Sequence, residues 1–179
     1  AIKAWGATPA WDKVPQRLGL LSLKRHEAAA KNLILRHQIP EKFALLAPVA
    51  RGKHNGKEKS WAHFNDLVKP LRDLGIEPIV FPSQREEELA RQACPDATIL
   101  PPTTLGNYAA LVRRAQLVIA NDSGVSHIAA AVGVKQITLI GVTDPTRTSP
   151  WNPDAVVLGK EGQWPTVDEV VAEIKKALA

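Results

Sequence analysis

Along most of the chain, short runs that read as strands alternate with runs that read as helices, and the strand-like runs are apolar throughout. A strand with one wet face alternates apolar and polar side chains, whereas a strand covered on both faces does not. Residues 43–49 (FALLAPV), 76–81, 116–120 and 136–140 are runs of the covered kind, with shorter ones at 97–100 and 155–158. Between them fall helical stretches. One is capped by Ser60, runs to Leu74, is shortened or kinked near Pro70 and stops at Gly75. Others cover 84–94, about 104–115 with Thr104 at its start, and 125–132. A closing helix ends at Leu178, headed by a Thr166/Glu169 capping box. An earlier helix starts from a cap at Ser22 and reaches about His37, with Ala28, Leu35 and Ile39 as its apolar positions. This order predicts an α/β architecture, a Rossmann-like parallel sheet with helices on both faces. The 179 residues suffice for one such domain.

Composition narrows the class. Apolar residues at 45% and charged residues at 23% suit a packed core and argue against disorder. Charges or prolines break every apolar run well short of the roughly 20 residues that cross a bilayer. The start, AIKAWGATPAW, lacks the apolar core of a secretion signal. The single cysteine, Cys94, makes neither an internal disulfide nor a cysteine metal cluster, so the expected setting is reducing and cytoplasmic. The chain contains no Met, which raises the expectation of a longer parent protein. The net charge of +5 is uneven: residues 1–60 carry 12 Lys and Arg against 4 Asp and Glu. A basic segment suits an anionic partner such as a phosphate, an acidic lipid head group or nucleic acid. Nucleic acid is the weakest of the three, because no aromatic residues interleave with the basic ones.

Ligands of open parallel sheets sit beyond the carboxyl ends of the strands. The densest signal at such an end is QLVIANDSGVSHIAAAVG, residues 116–133, where a strand turns through Asn121-Asp122-Ser123-Gly124 into a helix of small residues. The amides of Ser123, Gly124 and Val125 would open that helix without helical partners and could bind an anion such as a diphosphate. Ser126 and His127 add donors on the first turn. Simple N-capping by Asp122 or Ser123 accounts for the same residues equally well. Lys59 precedes the helix after the first strand and can reach over the strand ends toward a phosphate or ribose. Glu86 lies in the first turn of the 84–94 helix, placed either to accept from a ribose diol or simply to meet the helix dipole. Other patterns fail. The 52–58 loop is one residue short of a P-loop and ends in Glu58, no G-x-G-x-x-G is present, and no Asp-x-Asp pair suggests a metal-bridged sugar nucleotide. His26, His37, His54 and His63 are scattered without ligand spacing and read as surface or cap residues.

Taken in order, Lys59-x-Trp61, REEE at 85–88, NDSGVSH at 121–127 and GVTDPTR at 141–147 resemble glycosyltransferase family 9, the ADP-heptose:lipopolysaccharide heptosyltransferases. The resemblance runs from about Phe43 to the C-terminus. It implies one half of a GT-B glycosyltransferase, a Rossmann-like nucleotide-sugar-binding domain over 43–179 preceded by an interdomain linker and surface helix over 1–42. On this resemblance Lys59 contacts phosphate or ribose and Glu86 the ribose hydroxyls. Asp122, Ser123, Gly124 and Val125 hold the diphosphate and the sugar, with His127 nearby, and Thr103 and Leu105 flank the adenine. The catalytic base belongs to an N-terminal acceptor domain absent here, so no catalytic residue is assigned, and neither cofactor nor metal is expected. The implied partners are an ADP-heptose donor, a lipopolysaccharide core acceptor and the missing N-terminal domain. The implied location is the cytoplasm, at the inner face of the bacterial inner membrane. Two positions depart from the family pattern: Val142 stands where Pro is usual, and Val49-Ala50 where hydroxyl residues can face the phosphates. A GT-B transferase for another nucleotide sugar and a non-catalytic nucleotide-binding module are the alternatives.

Overall fold

The computed structural model of the protein describes residues 17–179, so the first part of the expected linker lies outside the described residues. Among these, six strands form one parallel sheet: β1 (Phe43–Ala47), β4 (Glu77–Val80), β5 (Thr98–Ile99), β6 (Leu117–Asn121), β7 (Gln136–Leu139) and β8 (Val156–Leu158). Their spatial order is β5-β4-β1-β6-β7-β8. From β1 the chain builds outward to β4 and β5, then returns to the other side of β1 and builds outward again through β6, β7 and β8. The switch therefore falls between β1 and β6, where a crevice opens at the carboxyl ends of an open sheet.

The uninterrupted apolar strands feed two cores. Phe43 and Leu45 of β1, with Val118 and Ala120 of β6, point to one face, where they meet Ala109 to Val112 and Ala129. Ala44 and Leu46, with Leu117 and Ile119, point to the other, against Phe64, Leu71, Ala90, Val170 and Ile174. The helices of the first face are α1 (Lys24–Arg36), α4 (Leu105–Val112) and α5 (Gly124–Val132). Those of the second are α2 (Val68–Asp73), α3 (Glu87–Ala93) and α7 (Val167–Leu178). Each fully buried Leu, Ile or Phe contributes about 2 kcal/mol by leaving water. The expected Thr104 cap on α4 and the Thr166/Glu169 capping box on α7 both form.

Several expectations need correction. Ser22 does not cap α1: Leu23 occupies the N-cap position, and the buried Ser22 hydroxyl has no hydrogen-bond partner among the described residues. Nor does α1 bury Ala28 and Leu35, which stay exposed, while Ala30, Leu33 and Ile34 face the core. The partner selects the face. α1 lies on α4, where a Cβ added at Gly106 would meet the half-buried His26 ring, so a larger residue there would need that imidazole to move. Ser60 does not cap a helix either. A 3₁₀ turn over Phe64–Leu67 leads into α2, whose first turn holds Pro70, where a missing amide costs nothing. The 52–58 loop contains a small antiparallel hairpin, β2 (Lys53–His54) and β3 (Lys57–Glu58). Its signal is the pair Asn55-Gly56 at φ 50° and 78°, the left-handed conformation that a two-residue hairpin turn requires. The segment after β7 contains one helical turn, α6 (Pro145–Thr148), capped by Asp144.

Candidate functional site

The site is built at the switch point, beginning with Asn121, the buried last residue of β6. Its Nδ2 donates to the carbonyls of Ala47 (3.2 Å) and Pro48 (2.9 Å), and its Oδ1 accepts from the Trp61 amide at 2.9 Å. One side chain thus ties the end of β1 to the segment returning from the hairpin. Two more contacts hold that segment. Ser60 Oγ accepts from the Ala50 amide at 3.0 Å, and the buried Trp61 indole donates to the Pro165 carbonyl at 2.9 Å. Lys59 is thereby fixed over the strand ends, with its Nζ 3.2 Å from Asp122 Oδ2. The Asp122 side chain is 6% exposed and that of Lys59 23%. The same Asp122 oxygen accepts from Thr143 Oγ1 at 2.6 Å, and Thr148 Oγ1 stands 3.2 Å behind Thr143 Oγ1. A carboxylate this buried requires a countercharge and hydrogen bonds, and Lys59 and Thr143 supply them.

The start of α5 lies beside this pair. Ser123 is its N-cap, with Oγ accepting from the Val125 amide at 3.4 Å, and Ser126 Oγ donates to the Ser123 carbonyl at 2.8 Å. Of the two capping candidates, Ser123 caps and Asp122 does not, because Asp122 is engaged by Lys59 and Thr143. Among the described residues, apart from its chain neighbours and its own helix, nothing lies within 4 Å of the point where a Cβ on Gly124 would stand, so the approach to this helix end is open. First-turn amides and the helix dipole make that end electropositive, and the Lys59 ammonium adds to it.

The other wall comes from β4, α3 and α4. Glu86 sits at the N-cap position of α3 rather than within its first turn, because residues 84–86 form a turn after the strand. Its Oε2 accepts from Ser83 Oγ at 2.5 Å, which fixes the carboxylate. Thr104 caps α4, Thr103 Oγ1 accepts from Asn107 Nδ2 at 3.3 Å, and Leu105 stands 70% exposed.

These walls enclose a cleft of about 660 Å³. All nine residues singled out in the sequence, Lys59, Glu86, Thr103, Leu105, Asp122, Ser123, Gly124, Val125 and His127, line it. So do Arg51, Phe81, Pro82, Ser83, Tyr108 and Ile128, which the sequence reading did not single out. Phe81 to Ser83 follow a strand end, and Tyr108 stands three residues after Leu105 on the same helix face. Those spacings are the signals that point to them. Burial, reinforced by the Glu86 charge, pushes the Tyr108 hydroxyl above the usual tyrosine range. The cleft therefore offers a cationic end at Lys59 and α5, an acidic group at Glu86 and an apolar flank at Phe81, Leu105 and Tyr108. Among the described residues no three His, Cys, Asp or Glu side chains gather as a metal site, and no helix is long and apolar enough to cross a membrane.

An open parallel sheet with its cleft at the switch point is the Rossmann-like architecture of a GT-B lobe. The chain belongs to glycosyltransferase family 9 (heptosyltransferase), whose family model matches residues 10–176. Two curated relatives are similar to it. Lipooligosaccharide heptosyltransferase 2 of Haemophilus influenzae is 32% identical over 118 residues, covering 60% of this chain and 34% of that protein. Lipopolysaccharide heptosyltransferase 3 of Escherichia coli is 29% identical over 143 residues, covering 73% and 41%. The chain thus spans well under half the length of these relatives. The solved ADP-heptose lps heptosyltransferase II of E. coli superposes with a TM-score of 0.73 at 21% identity, over 96% of this chain and 55% of that one, and supports the fold.

Proposed function

We propose that this chain is the donor-binding lobe of a glycosyltransferase that moves heptose from an ADP-sugar to the lipopolysaccharide inner core. The observation that carries the reading is the convergence of nine residues from four strand ends in one cleft with a cationic end. The names of the relatives, heptosyltransferases of lipopolysaccharide and lipooligosaccharide, agree with it. In this reading the diphosphate lies against the first-turn amides of α5 and the Lys59 ammonium. Glu86 accepts from the ribose hydroxyls, Thr103 and Leu105 flank the adenine, and His127 stands toward the sugar.

The acceptor hydroxyl oxygen attacks the anomeric carbon, the bond from that carbon to the diphosphate oxygen breaks, and ADP leaves with inverted configuration at the sugar. The hydroxyl proton passes to a base on the N-terminal lobe. Negative charge grows on the departing diphosphate, where Lys59 and the α5 amides are already oriented to meet it, so little reorganisation is needed. The parent enzyme would work in the cytoplasm against the inner membrane surface, where its lipid-linked acceptor resides.

Substitution tests the assignment. Lys59→Met should lower ADP affinity about tenfold or more, and Glu86→Ala by less, as read by calorimetric titration of the folded variants. Unchanged affinity in both variants would refute the site.

A further inference from the structure

We infer that Thr143, on the loop between β7 and α6, is the positioning residue for Lys59, acting through Asp122. The inference rests on the proposed diphosphate role of Lys59. Thr143 is 2% exposed, and its hydroxyl has a single proton, which goes to Asp122 Oδ2 at 2.6 Å. That oxygen is the one facing Lys59 Nζ at 3.2 Å, longer than the roughly 2.7–2.9 Å of an optimal charge-assisted bond. Asp122 is therefore pinned on the Thr143 side. It steadies the ammonium without taking all three of its protons, which leaves the others for a ligand.

Thr148 Oγ1 backs the relay at 3.2 Å from Thr143 Oγ1, and 3.2 Å from the Asp144 carbonyl. The backbone of the Lys59 segment is clamped independently, through Ser60 to Ala50 and through the Trp61 amide to Asn121. The loss of Thr143 thus leaves the backbone in place while the carboxylate turns freely and closes on Lys59, drawing it away from the diphosphate. On this view the GVTDPTR segment acts without touching the donor.

The test is a double-mutant cycle by calorimetry on this chain, with ADP and AMP as probes. Thr143→Val keeps the side-chain shape and removes the donor. It should weaken ADP about tenfold and AMP markedly less, Thr143→Ser should restore ADP binding, and Thr143→Val should cost nothing further in a Lys59→Met background. A wild-type ADP affinity for Thr143→Val, with Lys59→Met impaired, overturns the inference and leaves the site reading standing. An equal loss in both backgrounds, or an equal loss for ADP and AMP, also overturns it, since a merely structural threonine behaves that way. If Lys59→Met itself binds ADP normally, the diphosphate role of Lys59 fails and the inference falls with it. A thermal melt of Thr143→Val, set beside that of Thr143→Ser, separates unfolding from loss of alignment.

Discussion

The two strands that flank the switch point leave the sheet in opposite styles. β6 ends at Asn121 and enters α5 within three residues, through a turn whose polar side chains are largely buried and engaged. β1 ends at Ala47, makes a long exposed excursion through a basic hairpin and returns only at Lys59. Both exits bring cationic character to one cleft. The β6 exit does so through local geometry, because a strand-turn-helix unit leaves its first amides open. The β1 exit does so mainly through long-range contacts, from Lys59 to Asp122 and from Trp61 to Asn121 and Pro165. The β6 side, through Asn121, therefore holds the β1 side in register.

The sharpest way to break this asymmetry is Asn121→Ala. It strips two buried carbonyls and one amide of their partners at once. A loss of about 3 kcal/mol is expected, seen as a fall in Tm of roughly 10 °C. Ser123→Ala removes only the α5 cap and should cost about 1 kcal/mol in a denaturant titration.

Acid should act elsewhere. Glu77 opens β4, at the end of the sheet away from the cleft, and its carboxyl is held below the usual range, first by the Arg72 hydrogen bond and then by Thr98. A depressed carboxylate adds stability above its unfolded value, and that stability is lost as pH falls through the lower folded value. Wild-type protein should therefore shed some stability below about pH 4, with less than about 1 kcal/mol of it from Glu77. Glu77→Gln should lose less in melts across that range, keeping only the part due to Asp144 and Glu169, whose carboxyls are held low by Thr146 and Thr166. The smallest effect belongs to the hairpin. Replacing residues 53–58 with a short Gly-Ser link should change stability by no more than about 0.5 kcal/mol in the same melts, because those residues are exposed.

The same contrast explains what was legible in the sequence. The parallel sheet could be read from FALLA and LVIAN because doubly covered strands must be apolar throughout, and the α5 end could be read because Asn121 to Gly124 are contiguous. The β1 exit was read only in part. The sequence brings Lys59 near the strand ends but suggests a helix cap for Ser60, whose hydroxyl instead meets the Ala50 amide ten residues back. Asp122 shows the same limit. Its neighbours in sequence suggest a cap, and only the fold brings Lys59 and Thr143 to it. Helix α1 misled for a related reason, since amphipathic spacing defines a stripe but the neighbouring α4 decides which stripe is covered.

The central claim, that this cleft is built for an ADP-sugar, is tested most directly by titrating the chain with ADP and with UDP in the calorimeter. Saturable ADP binding, UDP at least tenfold weaker, and loss of the ADP signal in Lys59→Met are the results predicted. UDP binding as tight as ADP, or ADP binding indifferent to Lys59, would contradict the account.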